Sequence, residues 1–197
     1  PVAAPPHSLP ELYAMMESAG PFVKGGTKLV PGEGPVGAAI AFVGEQPGDQ
    51  EDIEGRPFVG PAGRLLNGAL VEAGIDRSKT FVTNAVKHFK FIERGKRRIH
   101  SKPTAGEIKH YRWWLVRELD LVGPRLVVAL GATAVQALAG KPVSILRFRG
   151  ETRFDDRRGY ITVHPSYILR LRHEMERKLA FDAFVNDLRV VKKLARI

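Results

Sequence analysis

Short apolar runs alternate along the chain with longer stretches in which apolar residues recur every three or four positions. Ala38–Val43, Phe81–Val86, Arg125–Leu130 and Tyr160–Val163 are the runs, and each has the length of a buried strand. Between them, Leu65, Leu66, Ala69, Leu70 and Ala73 mark one face of a helix that starts near Pro61 and stops at Gly74. Thr104 and Glu107 fit a capping box, which predicts a helix running to about Leu119. A further helix is predicted over Ala132–Ala139, before Gly140. Leu179, Phe184, Leu188 and Val191 give a last one, Met175–Ala195, its apolar stripe. Glu11–Ser18 reads as a short helix, Pro1–Pro10 as a mobile arm and Gly20–Gly37 as loop. Lys87–Pro103 reads as a long basic loop, and Ser144–Arg153 is ambiguous between loop and the arm of an edge hairpin.

Strands alternating with helices predict one α/β domain over residues 1–197, with a mostly parallel sheet covered on both faces. Sheets of this kind bind ligands at the carboxyl ends of their strands. Glu45, Asn84, Gly131 and His164 each fall just past a predicted strand end, so this topology gathers them on one rim. The first of these ends opens the stretch Ala38–Gly63, in which a strand breaks at Gly44-Glu45-Gln46-Pro47-Gly48. The acids Asp49, Glu51, Asp52 and Glu54 follow, then Phe58 among glycines.

Composition narrows the partners. The chain of 197 residues is 44% hydrophobic, enough for a sizeable core, and 31 Lys+Arg against 21 Asp+Glu leave a formal charge of +10. Such an excess favours a polyanion, with nucleic acid ahead of an acidic membrane surface. There are no cysteines, so disulfides, cysteine-bound zinc and iron–sulfur clusters are excluded for this chain. No apolar run reaches the ~18–20 residues of a membrane span, and the proline-rich start lacks the apolar core of a signal peptide. A soluble, cytoplasmic monomer is the expectation.

The candidate chemistry divides by position. The turn GEQPG lacks the Lys and Ser/Thr of a phosphate-binding loop and is not GxGxxG. Glu45 with Asp49 and Asp52 is either an acidic surface loop or a site for a metal or a developing cation; the strand ends at Asn84 and Gly131 hold neither the His nor the further acid that would favour a metal hydrolase. Asn84 carries both a donor and an acceptor, and so reads an amide-like ring edge or caps its strand. Phe58 offers a face to a base or packs under its loop. His164 before Pro165 is a structural or a catalytic histidine. Phe89–Lys102 interleaves aromatics with Lys90, Arg94, Lys96, Arg97, Arg98 and Lys102, the composition of an element that tracks a nucleic-acid strand, or of a solvated loop. His100 at its end is a neutral imidazole available as base or nucleophile.

Taken together, GEQPGDQED, GRPFVGPAG, TNAVKH and HPS, in that order and spacing, resemble the motifs of family-four uracil-DNA glycosylases over about Val30–Leu169. Gly95–His100, GKRRIH, with Gln46, is similar to the UdgX branch of that superfamily. The resemblance implies a three-layer α/β/α sandwich around a four-stranded, mainly parallel sheet. It implies uracil flipped out of single- or double-stranded DNA as the substrate. Phe58 would stack on the base, Asn84 read its polar edge, and His164 stabilise the departing anion. Glu45 and Gln46 would lie near sugar and base, and His100 would attack C1′, leaving the protein joined to its abasic product. Capture of that kind needs an unprotonated nitrogen on His100, so near-neutral or higher pH favours it. Lys96, Arg97, Arg98, Ser166 and Arg170 would contact DNA. The alternatives are a hydrolytic enzyme, with a water placed by Glu45 or Asp49, and a non-catalytic DNA or abasic-site binder.

The sequence departs from that family in one respect. Its members carry an iron–sulfur cluster held largely by cysteines, and here the early ligand positions fall at Glu17 and Gly20 and a later one near Tyr111. Of the ligand positions, His88 alone keeps a residue that is a ligand in UdgX-like chains. A member without a cofactor is expected, with Phe22, Tyr111 and Trp113 packing in the cluster's place.

Overall fold

The computed structural model describes residues 4–197. Its central sheet has five strands, in the order β2-β1-β5-β7-β6. These are β1 (Ile40–Gly44), β2 (Phe81–Asn84), β5 (Leu126–Leu130), β6 (Gly150–Phe154) and β7 (Arg157–Thr162). The first four in chain order of pairing, β2, β1, β5 and β7, run parallel, and β6 pairs antiparallel with β7 at the edge. The resemblance implied four strands; the fifth comes from the ambiguous segment. Only Phe154 of β6 is buried, so its sequence lacks the apolar alternation that marks a strand. It is held by a tight turn in which Asp155 takes a left-handed conformation, φ 51°.

Alternating strand positions build two cores. Ile40, Phe42, Val82, Val128 and Tyr160 face α3 (Pro61–Ala73) and α8 (Glu174–Ala195), meeting Leu66, Leu70, Phe184 and Leu188. Ala41, Val43, Phe81, Val127 and Ile161 face α4 (Ala105–Val122) and α5 (Ala132–Ala139). The result is a three-layer α/β/α sandwich. Strands β1, β5 and most of β2 and β7 are buried throughout, which is why they read as continuous apolar runs. Helix α4 starts with the expected box: Thr104 accepts from the Glu107 amide, and Glu107 accepts from the Thr104 amide. No helix among the described residues is long and apolar enough to cross a membrane.

Several expectations change. The basic loop contains an antiparallel hairpin of β3 (Phe91–Arg94) and β4 (Arg97–His100), turned at Gly95, φ 60°. The acids after β1 form a short helix, α2 (Asp49–Glu54). At the amino end, residues 1–3 lie outside the described part. The remainder of the expected arm is anchored: Pro6 is buried, its carbonyl accepts from Arg117 at 2.7 Å, and α1 (Leu9–Ala19) begins within it, capped by Ser8.

One polar group is sealed into the interior. Lys87, 0% exposed, donates to Glu118 Oε2 at 2.5 Å and to Thr83 Oγ1 at 2.5 Å. Thr83 in turn donates to Glu118 Oε2 at 2.8 Å, while Tyr13 of α1 donates to Oε1 at 2.5 Å. The Gly32 amide reaches both Tyr13 and Glu118, and a Cβ at residue 32 would strike the Phe81 ring. Burial pushes the Lys87 ammonium below its usual range, although Glu118 opposes the shift. Removing one partner strands the other charge, so Glu118→Gln and Lys87→Met are each expected to cost about 3–5 kcal/mol in urea unfolding. Replacing both together with Leu and Met is expected to cost less than either single change.

Candidate active site

The sheet order places β1 between β2 and β5, so the chain leaves β1 on one side and returns on the other. A crevice opens above the carboxyl ends of strands at such a switch point. Here it is a cavity of about 1160 Å³ whose lining includes Glu45, Asn84, Gly131 and His164, all four of the strand-end residues. Phe58, His100 and Thr133 line it too.

The floor depends on Gly44. A Cβ there would lie 2.6 Å from both Asn84 Oδ1 and the Phe58 ring, so the missing side chain lets these two groups meet. Phe58 packs into the core on the α3 side, 5% exposed, and also borders the cavity. Its backbone is left-handed, φ 54°, an unusual state for a bulky residue and one found where geometry serves a site. Glu51 accepts from the Gly60 amide at 3.1 Å and steadies this loop.

Glu45 is the centre of the polar wall. Its Oε1 meets His100 Nε2 at 2.8 Å, and its Oε2 accepts from the Thr133 hydroxyl. Burial pushes the Glu45 carboxyl up, but these two hydrogen bonds and the nearby histidines outweigh it and hold the group below the usual carboxylate range. An ionised carboxylate only accepts, so His100 donates through Nε2–H, and in the neutral ring the lone pair is on Nδ1.

His164 is arranged the other way. Both the amide and the hydroxyl of Ser166 donate to its Nδ1, at 3.1 and 2.8 Å, while Arg170 donates to Ser166 Oγ at 3.0 Å. The proton of the neutral ring therefore sits on Nε2. Burial pulls the His164 imidazole down to about 4, so the ring is neutral at pH 7. Ser166, expected to touch DNA, turns inward to set this tautomer.

The hairpin that carries His100 is clamped. The Gln46 amide donates to the carbonyls of Lys90 and Ser101, both at 3.2 Å, and accepts from the Lys90 amide at 3.1 Å. Gln46 was expected to meet the base, but its side chain is committed to the roots of the hairpin. Arg98, expected to contact DNA, is ion-paired with Asp49 at 2.6 Å and with Asp52, and lies over the Phe91 ring. The same pairing occupies Asp49, expected to place a water. Lys96 and Arg97, at the turn, are exposed and form no ion pair among the described residues. The acidic cluster thus serves the fold, and no group of three or more potential metal ligands occurs among the described residues.

The positions where the resemblance implies cluster ligands, Glu17, Gly20 and Tyr111, offer no thiolate to a cluster. Tyr111 is buried. Its hydroxyl accepts from the Phe22 amide at 3.0 Å and is hydrogen-bonded to His88 Nδ1 at 2.8 Å, packed by Val23 and Val86. Phe22 and Trp113, expected to share this role, are 53% and 51% exposed. Phe22 stacks instead on His110, with centroids 3.6 Å apart.

Of the site residues, sequence reasoning missed Thr133. It lies on the first turn of a helix whose start, Gly131, was noted, but only the return of that helix to β1 brings it to Glu45.

Burial also pulls His88 down to about 4. A histidine whose folded pKa lies below its unfolded value of ~6.5 withholds a proton in the folded state, so stability is lost as pH falls from about 6.5 towards 4. Thermal unfolding is expected to show that loss, with His88 contributing up to about 1.4 kcal/mol per pH unit. His88→Gln is expected to flatten the slope; an unchanged slope would rule the contribution out.

The comparisons agree with this geometry. A model of the uracil DNA glycosylase superfamily matches residues 31–189. The chain is 37% identical over 170 residues to a type-4 uracil-DNA glycosylase of Thermotoga maritima, covering 85% of each chain. It is 35% identical over 162 residues to a type-4 uracil-DNA glycosylase of Archaeoglobus fulgidus, covering 76% of this chain and 78% of the relative. The match runs from before β1 to within α8 and so includes every strand end that lines the cavity: the chain belongs to the uracil DNA glycosylase superfamily.

Proposed function

We propose that this chain excises uracil from DNA and is then captured, through His100, as a covalent adduct of its abasic product. The observation that carries the second step is the 2.8 Å contact between His100 Nε2 and Glu45. It puts the proton of Nε2 against a carboxylate that can take it, which frees Nε2 to attack. The relatives' names support the first step.

In this reading, DNA lies across the exposed Lys96 and Arg97 and beside Arg170, and the uracil nucleotide is flipped into the cavity. Flipping costs a few kcal/mol, which stacking on Phe58 and phosphate contacts offset. The Asn84 carboxamide pairs with the polar edge of the base. The C1′–N1 bond then breaks, and its electron pair leaves on the uracil. His164 donates from Nε2–H to the carbonyl oxygen on which that charge gathers, and Glu45 stabilises the positive sugar. Next, the proton on His100 Nε2 passes to Glu45, already in hydrogen-bond contact, and the electron pair of the broken N–H bond forms the bond from Nε2 to C1′, so the product is a neutral alkylated imidazole beside a protonated Glu45. The hydrogen bonds of Gln46, with the Arg98–Asp49–Asp52 pairs, hold the hairpin where an iron–sulfur cluster has no ligands. These contacts support reading the chain as a cluster-free member of the UdgX branch.

The test is a denaturing gel of the protein mixed with a uracil-containing single-stranded oligonucleotide. A slow band, with no more than one uracil released per protein molecule, is the expected outcome. Uracil release without the band would leave a hydrolytic enzyme that turns over, and no release at all would leave a binding module. His100→Ala is expected to abolish the band while sparing release. Asn84→Ala is expected to lower release by about a hundredfold or more, the scale of losing a donor to a developing anion; unaltered release would show that the base sits elsewhere.

A further inference from the structure

Thr133 is 3% exposed, and its hydroxyl is directed away from its own helix. It donates to Glu45, 88 residues earlier in the chain. It is the second residue of α5, and the residue before that helix, Gly131, offers no side-chain cap. The carboxylate therefore meets a hydroxyl donor at the positive end of a helix. His100 holds the other oxygen. Of these two contacts, only the one from Thr133 survives once His100 turns to the sugar.

We infer that Thr133 is a positioning residue: its hydroxyl fixes Glu45 Oε2, so that Oε1 alone faces His100 and the reacting sugar. This rests on reading Glu45 as the carboxylate that faces the sugar. The hydroxyl has two consequences. It fixes the rotation of the carboxylate, which directs the charge at C1′ instead of at the cavity mouth. It also helps to keep Glu45 ionised in a buried setting, where an unbonded carboxyl would take up a proton. The other titratable groups facing Glu45 are His100 from β4 and His164 from the end of β7. Farther round the cavity are Asp49, held by Arg98, Glu51, which accepts from the Gly60 amide, and Lys102, Arg149 and Arg170.

Thr133→Val keeps the shape and removes the hydroxyl; Thr133→Ala serves if the valine variant does not fold, and Thr133→Ser restores the donor. Single-turnover uracil release and crosslinking are measured from pH 4 to 9, with DNA affinity. Valine is expected to slow release about ten- to a hundredfold, the scale of losing a partner that orients a reacting group, with affinity changed less than about twofold. Its acid limb is expected to move to higher pH, and serine is expected to recover most of the rate. Loss of affinity alone, equal loss in serine and valine, or a slower rate with an unmoved acid limb would each overturn the inference. A carbon-13 NMR titration of the Glu45 carboxyl, without DNA, reads the same contact independently. An upward shift in Thr133→Val supports the inference and no shift overturns it, even if the wild-type protein releases no uracil.

Discussion

The buried pair of Lys87 and Glu118 is the constraint on which the rest of the molecule depends. Both groups are fully removed from water, and a charge in that position is tolerable only with every partner in place. The partners come from four parts of the chain: Tyr13 on α1, Gly32 in the loop before β1, Thr83 in β2 and Glu118 on α4. The network thus locks the end of β2 to the helix behind it. Asn84 is the neighbour of Thr83, and the segment that begins at Lys87 leads into the hairpin of His100. Tyr111 bonds His88, the residue after Lys87, and ties the same segment to α4.

From that anchored segment the hairpin reaches back across the cavity, held by side chains that looked functional in the sequence. Gln46, Asp49, Asp52 and Arg98 all sit in motifs shared with catalytic residues, and their contacts run to the hairpin and to one another. They set where His100 lies. Ser166 acts likewise on His164, and Thr133 on Glu45. Of the groups that line the cavity, Glu45 has both oxygens held, His100 has Nε2 held and His164 has Nδ1 held. What is left over is a lone pair on His100 Nδ1 and a proton on His164 Nε2. The two histidines lie on the same cavity with opposite constraints: Nδ1 accepts in His164, whereas Nε2 donates in His100.

Much of this was legible from the sequence, because burial on both faces leaves a plain record. The runs at Ala38–Val43 and Arg125–Leu130 could only be interior strands, and their order with the helices implied a parallel sheet with ligands at its carboxyl edge. That alone brought Glu45, Asn84, Gly131 and His164 to one rim. Where an element is exposed the record fades. The hairpin of β3 and β4 carries charged residues on both sides, and Phe154 is the one buried apolar residue of the edge strand β6, so neither apolar alternation nor an apolar run marks them. The acids Asp49–Glu54 read as a cluster because nothing local says that Arg98 will arrive to pair with two of them.

The sequence by itself determined the sandwich, the rim and the kinds of side chain on it, since these follow from local periodicity and from which residues avoid water. The tertiary structure alone decided which atom of each side chain is free. That Glu45 is ionised, that His164 carries its proton on Nε2, that Gln46 serves the hairpin and that Thr133 belongs to the site are all consequences of partners tens of residues away. Hydrogen bonds are directional and short, so they are settled only when the sheet, α5 and the hairpin have closed on one another.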